Sequence, residues 1–210
     1  MEVIKKSVLR EIKDGLIYFL KQKDIRLTAT ILFIVSSALG AVSVVAIVFV
    51  QNTLHSATKE LGFLIMFLGA GLFLGSLIYG RFGQRFSQYK TIFSSFILSG
   101  IILICFALAL SRYPYPVPAM FLSFLMGFIS SPILIASNTI IQKASENEMR
   151  GKIFSSLEIV MHLGFLLFMY VSSILAERFS HILILVVIGC IFCLLGAISL
   201  ISQRKIPSLE

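Results

Sequence analysis

An acidic and an imidazole side chain, one helical turn apart, are the residues of this chain best suited to proton chemistry. Glu158 and His162 are four residues apart inside a long apolar segment, so a helix there would present both on one face. An ionisable group in such a segment commonly marks a proton or substrate pathway. The spacing therefore predicts a pair that couples proton movement to another process or contacts a substrate.

Two plainer interpretations of the same pair stay open. Glu158 lies about seven residues beyond Gly151, or roughly 10 Å along a helix that rises 1.5 Å per residue. At that depth the carboxylate can face water or pair with a basic loop residue. The pair can also line a cavity or an interface without moving protons.

The remaining reactive patterns do not predict an enzyme. Cys190 and Cys193 have the spacing of redox or zinc motifs, but they lie in an apolar segment, where cysteines usually serve packing. A rhomboid-like protease would need a Gly-x-Ser-x-Gly-like turn, and Gly75-Ser76 lacks the second glycine. There is also no HExxH motif, no paired aspartate motif and no P-loop. We therefore expect no catalytic residue, no metal and no cofactor.

Six apolar segments of about twenty residues must position these side chains. They are residues 27–50, 61–79, 91–110, 117–136, 153–174 and 182–201. As helices, each can cross the roughly 30 Å hydrocarbon core of a bilayer, where backbone amides find no water. The predicted fold class is an all-α membrane protein with six transmembrane helices, in which residues 27–203 form the bundle.

The basic residues alternate between the two sides of this predicted topology. Of the 18 lysines and arginines, only Lys59, Arg112 and Arg178 lie in the second set of loops. The others precede the first segment, lie in the alternate loops, or follow the last segment. The positive-inside rule therefore predicts a multi-pass protein of the cytoplasmic membrane with both termini in the cytoplasm. Because topology explains the net charge of +8, no nucleic-acid partner is expected.

The two ends of the chain read as cytoplasmic segments. Residues 1–26 combine basic residues with apolar ones at three- and four-residue steps, which predicts an amphipathic linker helix on the anionic membrane surface. A helix that docks a partner is the alternative. No cleavable signal peptide is expected, because the first apolar segment follows these polar residues. Residues 204–210 form a predicted cytoplasmic tail.

The loop after the second segment carries a recognisable pattern. Residues 76–85 read Ser-Leu-Ile-Tyr-Gly-Arg-Phe-Gly-Gln-Arg. They resemble the Gly-x-Leu-Ala-Asp-Arg-x-Gly-Arg-Lys loop of the major facilitator superfamily, which joins the second and third helices of each half. The resemblance implies a gating loop formed by Gly80, Arg81, Gly83 and Arg85. Gly80 stands where the family has an aspartate, so the gating contact of that carboxylate is missing.

Two further stretches resemble the same superfamily. Residues 138–152 are similar to the loop after the tenth helix in the drug, macrolide and siderophore efflux branch, and residues 12–26 resemble the central linker. The three matches follow one another in order along the chain. They imply the second, C-terminal half of a twelve-helix fold, with the six segments corresponding to helices seven to twelve.

In this superfamily the substrate sits between two six-helix halves that rock against each other. The resemblance therefore implies a proton-coupled efflux antiporter for small hydrophobic or amphipathic molecules, embedded in membrane lipid. Its partner would be a complementary N-terminal half or a second copy, and a non-transporting truncated remnant is the alternative. The implied cavity residues are Ser36, Ser37, Gly40, Ser43, Met126, Ser130 and Asn138. Serines that bond their own helix and ordinary bundle packing are the competing interpretations.

Overall fold

The computed structural model describes residues 22–54 and 59–204, and these form six long helices. The helices are α1 (Lys23–Leu54), α2 (Lys59–Phe82), α3 (Gln88–Arg112), α4 (Pro116–Ala144), α5 (Arg150–Arg178) and α6 (His181–Arg204). A single 3-10 turn, Gly83–Arg85, follows α2. Within these two ranges there is no β-strand. All six helices are long and apolar enough to cross a membrane, which confirms the predicted fold class.

Most helices extend beyond the apolar segments that predicted them. For example, α1 has 32 residues and begins at Lys23, so residues 23–26 belong to this helix and not to a separate linker. Hydropathy marks only the part of a helix in hydrocarbon, whereas backbone hydrogen bonds continue into the interface. Of the predicted linker helix (residues 1–26) and tail (residues 204–210), residues 1–21 and 205–210 lie outside the described residues.

Three helix pairs hold the bundle together: α2 with α4, α1 with α5, and α3 with α6. In addition α3 packs along α4, and α1 contacts both α4 and α6, whereas α1 and α2 barely touch. Each of α2 and α5 therefore lies at a flank, attached mainly to one neighbour. The contacts repeat between the first three and the last three helices. The first helix of each set packs on the second helix of the other set, so α1 contacts α5 and α4 contacts α2. This is the pattern of an inverted three-helix repeat.

Each of the three pairs has glycine on both helices at the point of closest approach. A Cβ atom on Gly71 of α2 would overlap the backbone of Phe124, and one on Gly127 of α4 would overlap the backbone of Leu68. Gly40 of α1 meets the Phe165 carbonyl of α5 in the same way. These glycines let two backbones touch directly, which no larger residue permits.

The third pair follows the same rule at Gly100 and Gly189. A Cβ on Gly189 of α6 would lie 2.8 Å from the Gly100 carbonyl oxygen of α3, and one on Gly100 would lie 2.5 Å from the Gly189 carbonyl oxygen. Lipid tails are as apolar as leucine, so burial of side chains adds little driving force between membrane helices. Close backbone contact, with its dispersion energy, is what favours this arrangement.

Substitution of Gly71 by leucine should destabilise the bundle, while the same change at Gly69 should not. Gly71 is buried against α4, whereas a side chain at Gly69 would have nothing within 4 Å. Overpacking typically costs about 1–3 kcal/mol, so Gly71→Leu should lower the midpoint of unfolding, followed by circular dichroism in detergent with increasing dodecyl sulfate. Equal midpoints for Gly71→Leu and Gly69→Leu would show that α2 and α4 do not depend on this contact.

Candidate functional site

An apolar cavity of about 350 Å³ lies between α1, α2, α3 and α4. Its walls are almost entirely aliphatic and aromatic, and no charged side chain lines it within the described part of the chain. The lining side chains Leu39, Ile47 and Ile65 are also exposed at the bundle surface. The cavity therefore opens outward rather than being sealed in the core.

The helix packing explains why this space exists. Gly71 and Gly127 hold α2 against α4, and Gly40 and Gly164 hold α1 against α5. These contacts draw α2 and α1 toward different neighbours, and the gap between the two helices becomes the cavity. Leu103 and Phe106 of α3 lie behind it.

Four serines supply the polar atoms of the lining, and three of their hydroxyl groups have partners within the bundle. Ser99 Oγ and Ser130 Oγ lie 3.3 Å apart across α3 and α4, and either can donate. The Ser43 hydroxyl donates to the Gly40 carbonyl at 2.8 Å. Ser123, the fourth, is buried. A cavity with so few available hydrogen-bonding groups suits an apolar ligand.

The structure brings together three of the seven predicted cavity residues, Ser43, Met126 and Ser130. The other four lie elsewhere. Ser36 is buried and Asn138 is exposed outside the cavity, while Gly40 packs on the Phe165 carbonyl of α5. A Cβ on Gly164 of α5 would lie 2.7 Å from Ser37 Oγ, which places Ser37 on the α5 side of α1. A substrate contact by any of the seven stays a prediction.

Leucines of α2 form a wall of the cavity that the sequence analysis did not single out. Leu61, Leu64, Leu68 and Leu72 line it. Leucines in an apolar segment carry no signal that separates a cavity wall from a lipid-facing surface. Ser99 and Ser123 could have indicated the cavity, because hydroxyl groups in two apolar segments favour the interior between helices over lipid. The structure shows that both are buried.

Glu158 and His162 lie together on the exposed side of α5, which does not line the cavity. His162 Nδ1 is 3.4 Å from Glu158 Oε2 and 2.7 Å from the Glu158 carbonyl oxygen. Their side chains are 59% and 74% exposed, respectively. Glu158 lies eight residues into α5, or roughly 12 Å from its first residue. The pair thus lies within a membrane-spanning helix, and both side chains are more than half exposed.

The predicted gating loop is mostly helical. α2 continues through Gly80 and Arg81 to Phe82, and a Cβ on Gly80 would have nothing within 4 Å. Gly83 is buried, and a Cβ there would lie 2.7 Å from the Tyr79 ring. A larger residue at this position would therefore have to displace the ring. Arg81 and Arg85 are exposed, and their gating role stays a prediction.

The motif between α4 and α5 closes the same end of the bundle. An Arg150 guanidinium nitrogen donates to the Gln142 carbonyl at 2.9 Å, and Gln22 donates to the Ala144 carbonyl at 2.8 Å. Both acceptors lie in the last turn of α4, where free carbonyls and the helix dipole favour donors and cations. Arg150 of this motif and Gln22, which precedes α1, therefore cap the C-terminal end of α4.

No group of three or more His, Cys, Asp or Glu side chains capable of holding a metal occurs in residues 22–54 and 59–204. The three cysteines are free, and the Cys193 thiol donates to the Ile97 carbonyl across α6 and α3. This contact accounts for Cys193 as a packing residue.

Comparison with known proteins gives two findings. The chain is 26% identical, over 209 residues, to the uncharacterized MFS-type transporter YfiS of Bacillus subtilis (strain 168). That alignment covers 95% of this chain but 48% of YfiS, so the chain spans about half the length of the relative it matches. The sequence pattern of the Major Facilitator Superfamily matches residues 28–208, which include nearly all of the six helices. The chain belongs to the major facilitator superfamily.

Proposed function

We propose that this six-helix unit is the C-terminal half of a secondary transporter that exports small hydrophobic or amphipathic molecules across the cytoplasmic membrane. The apolar cavity lined by α1, α2, α3 and α4 is the observation that carries this proposal. Family membership and the transporter name of the relative support transport as the general activity.

The cavity chemistry favours a hydrophobic substrate. Its volume of about 350 Å³ lies at the lower end of the usual range for small-molecule sites, roughly 300–1,000 Å³. A second half would enlarge it. Met126 adds a flexible, polarizable side chain that can adapt to ligands of different shape. A charged substrate would find no charged partner on these walls, and a sugar would find few hydrogen-bonding groups.

The Glu158–His162 pair favours a second six-helix unit. A charged side chain surrounded by lipid is costly, about 2.5–3.5 kcal/mol at mid-helix on insertion scales and less nearer the helix end, where Glu158 lies. Both side chains are exposed on α5, which is attached to the rest of the unit mainly through α1. A second unit, on the same polypeptide, on another chain or in a second copy, would cover this surface or create a water-filled path to it.

We place the proton-coupling step at this pair. His162 Nδ1 lies 3.4 Å from Glu158 Oε2, so a small side-chain rotation would bring the two groups within hydrogen-bonding distance. Proton entry to the pair and its release on the other side would accompany the rocking of the two halves. We also propose that this end of the bundle faces the cytoplasm. The positions of Arg81, Arg85 and Lys143 at the same end as the start of α1 support this orientation by the positive-inside rule.

A larger side chain at Ser130 should slow export of a lipophilic dye. Ser130→Leu fills part of the cavity, so we expect roughly a tenfold lower export rate, equivalent to about 1.4 kcal/mol, in everted vesicles that contain both halves. Ser94→Leu, on an exposed position of α3 outside the cavity, is the matched control and should export at the unaltered rate. An unchanged rate for Ser130→Leu at normal expression would exclude this cavity as the substrate path.

Neutralisation of Glu158 should remove the proton dependence of transport while dye binding is retained. Glu158→Gln keeps the shape of the side chain but cannot cycle between charged and neutral forms. Glu177→Gln, at an exposed position near the other end of α5, is the control and should keep proton-driven transport. Export should be measured against an imposed pH gradient, and binding by dye fluorescence. Gradient-driven export by Glu158→Gln at the unaltered rate would end the proposed coupling role.

A further inference from the structure

A second groove, of about 400 Å³, lies at the end of the bundle where α1 begins. It runs between the first turns of α1 and the last turns of α6, and α3 forms its floor. Its walls are mainly apolar: they include Ile31, Ile34, Phe93, Phe96 and Leu195. The residues of α1 that line it extend from Lys23 to Ile34, roughly 16 Å along the helix and about half the thickness of a hydrocarbon core.

Two cations stand at the mouth of this groove. Lys23 and Arg26 both line it, and both are exposed. Asp24, the nearby carboxylate on α1, accepts a hydrogen bond from the Tyr89 hydroxyl at 3.2 Å and does not line the groove. Within the described part of the chain, the charged lining is therefore wholly positive.

The Thr30 hydroxyl, the remaining polar group of α1 in the groove, already has a hydrogen-bond partner. The Thr30 hydroxyl donates to the Arg26 carbonyl at 2.9 Å. Ser199 on α6 is the other hydroxyl in the lining. Beyond the mouth, the groove offers little hydrogen bonding and much apolar surface. Its ligand should thus be anionic at one end and apolar along the rest.

We infer that this groove binds an anionic phospholipid. The phosphate group lies between Lys23 and Arg26, and one acyl chain follows α1 between Phe96 and Leu195. Basic pockets between helices at the membrane surface are suited to anionic headgroups, and each basic residue adds to that attraction. The depth of one leaflet matches the length of the groove.

Other occupants fit these walls less well. An extended peptide would bury backbone amides that the apolar walls cannot satisfy. Free phosphate would leave the apolar surface uncovered, and a zwitterionic lipid would bring its own cation near Lys23 and Arg26. Residues 1–21 contain more basic than acidic residues, so their charge is unfavourable beside these cations.

The affinity test uses the purified full chain in a neutral detergent. Phosphatidylglycerol should raise the thermal midpoint of unfolding and remain bound in native mass spectra. Phosphatidylcholine and inorganic phosphate, added at the same concentration, should do neither. Equal effects of the two lipids, or the full effect with inorganic phosphate alone, would overturn the proposal.

Two pairs of variants separate this site from general surface charge. Lys23→Gln/Arg26→Gln should weaken the apparent affinity for phosphatidylglycerol by about tenfold or more, since two basic contacts are lost. Lys90→Gln/Lys143→Gln removes the same charge from exposed positions outside the groove and should change the affinity for phosphatidylglycerol little. Ser199→Phe fills the groove, whereas Ile198→Phe adds bulk on the exposed neighbour. Loss of affinity in both members of either pair would contradict a defined site.

The identity of the occupant can be read directly. A photo-crosslinking amino acid at Thr30, which lines the groove, should attach to phospholipid in membranes of cells that express the chain. Attachment to residues 1–21 or to a second protein chain as the main product would overturn the proposal. This experiment does not depend on transport, so its outcome is independent of the proposed function.

Discussion

Direct backbone contact at paired glycines is the constraint on which the rest of this structure depends. Gly71 with Gly127, Gly40 with Gly164, and Gly100 with Gly189 each bring two helices together where a side chain would not fit. In a membrane, apolar burial alone does not decide which helices associate. The glycines therefore select the pairs, and the pairs determine where space remains. Because α2 is bound to α4 and α1 to α5, the cavity opens between α1 and α2.

Polar groups have different surroundings in the interior of the bundle and on its α5 flank. Several interior hydroxyls bond to each other or to a backbone, as in the Ser99–Ser130 contact and in the bond from Ser172 to the Ala41 carbonyl. The hydroxyls of Thr28, Ser37 and Ser137 are buried without such a partner in the part of the chain that the structure describes. Glu158 and His162 are instead exposed on a flank. A flank that exposes an acid and an imidazole within a membrane-spanning helix is suited to meet another polar surface or water there. The proposed second half supplies that environment.

The sequence predicted the architecture well because length and hydropathy determine membrane spans almost directly. Six helices follow from six apolar segments, and the i, i+4 spacing correctly brought Glu158 and His162 together. Side-chain direction was harder to predict. Ser37 and Ser43 lie on one segment, yet the first faces α5 and the second faces the cavity. Their six-residue spacing puts the two side chains about 120° apart on a helix of 3.6 residues per turn. Which of these directions meets α5 and which meets the cavity depends on the neighbours of α1, and periodicity within one helix does not contain that information. Leucine walls such as Leu68 were missed for the same reason.

The central claim is that an apolar cavity in this unit becomes a transport path when a second half completes it. The most direct measurement is dye movement in proteoliposomes under an imposed pH gradient. The purified chain, a second six-helix half and the two combined would be compared at equal protein content. The account predicts gradient-driven movement of a lipophilic dye only when both halves are present. No movement by the combined halves, or equal movement by the isolated monomeric chain, would contradict it.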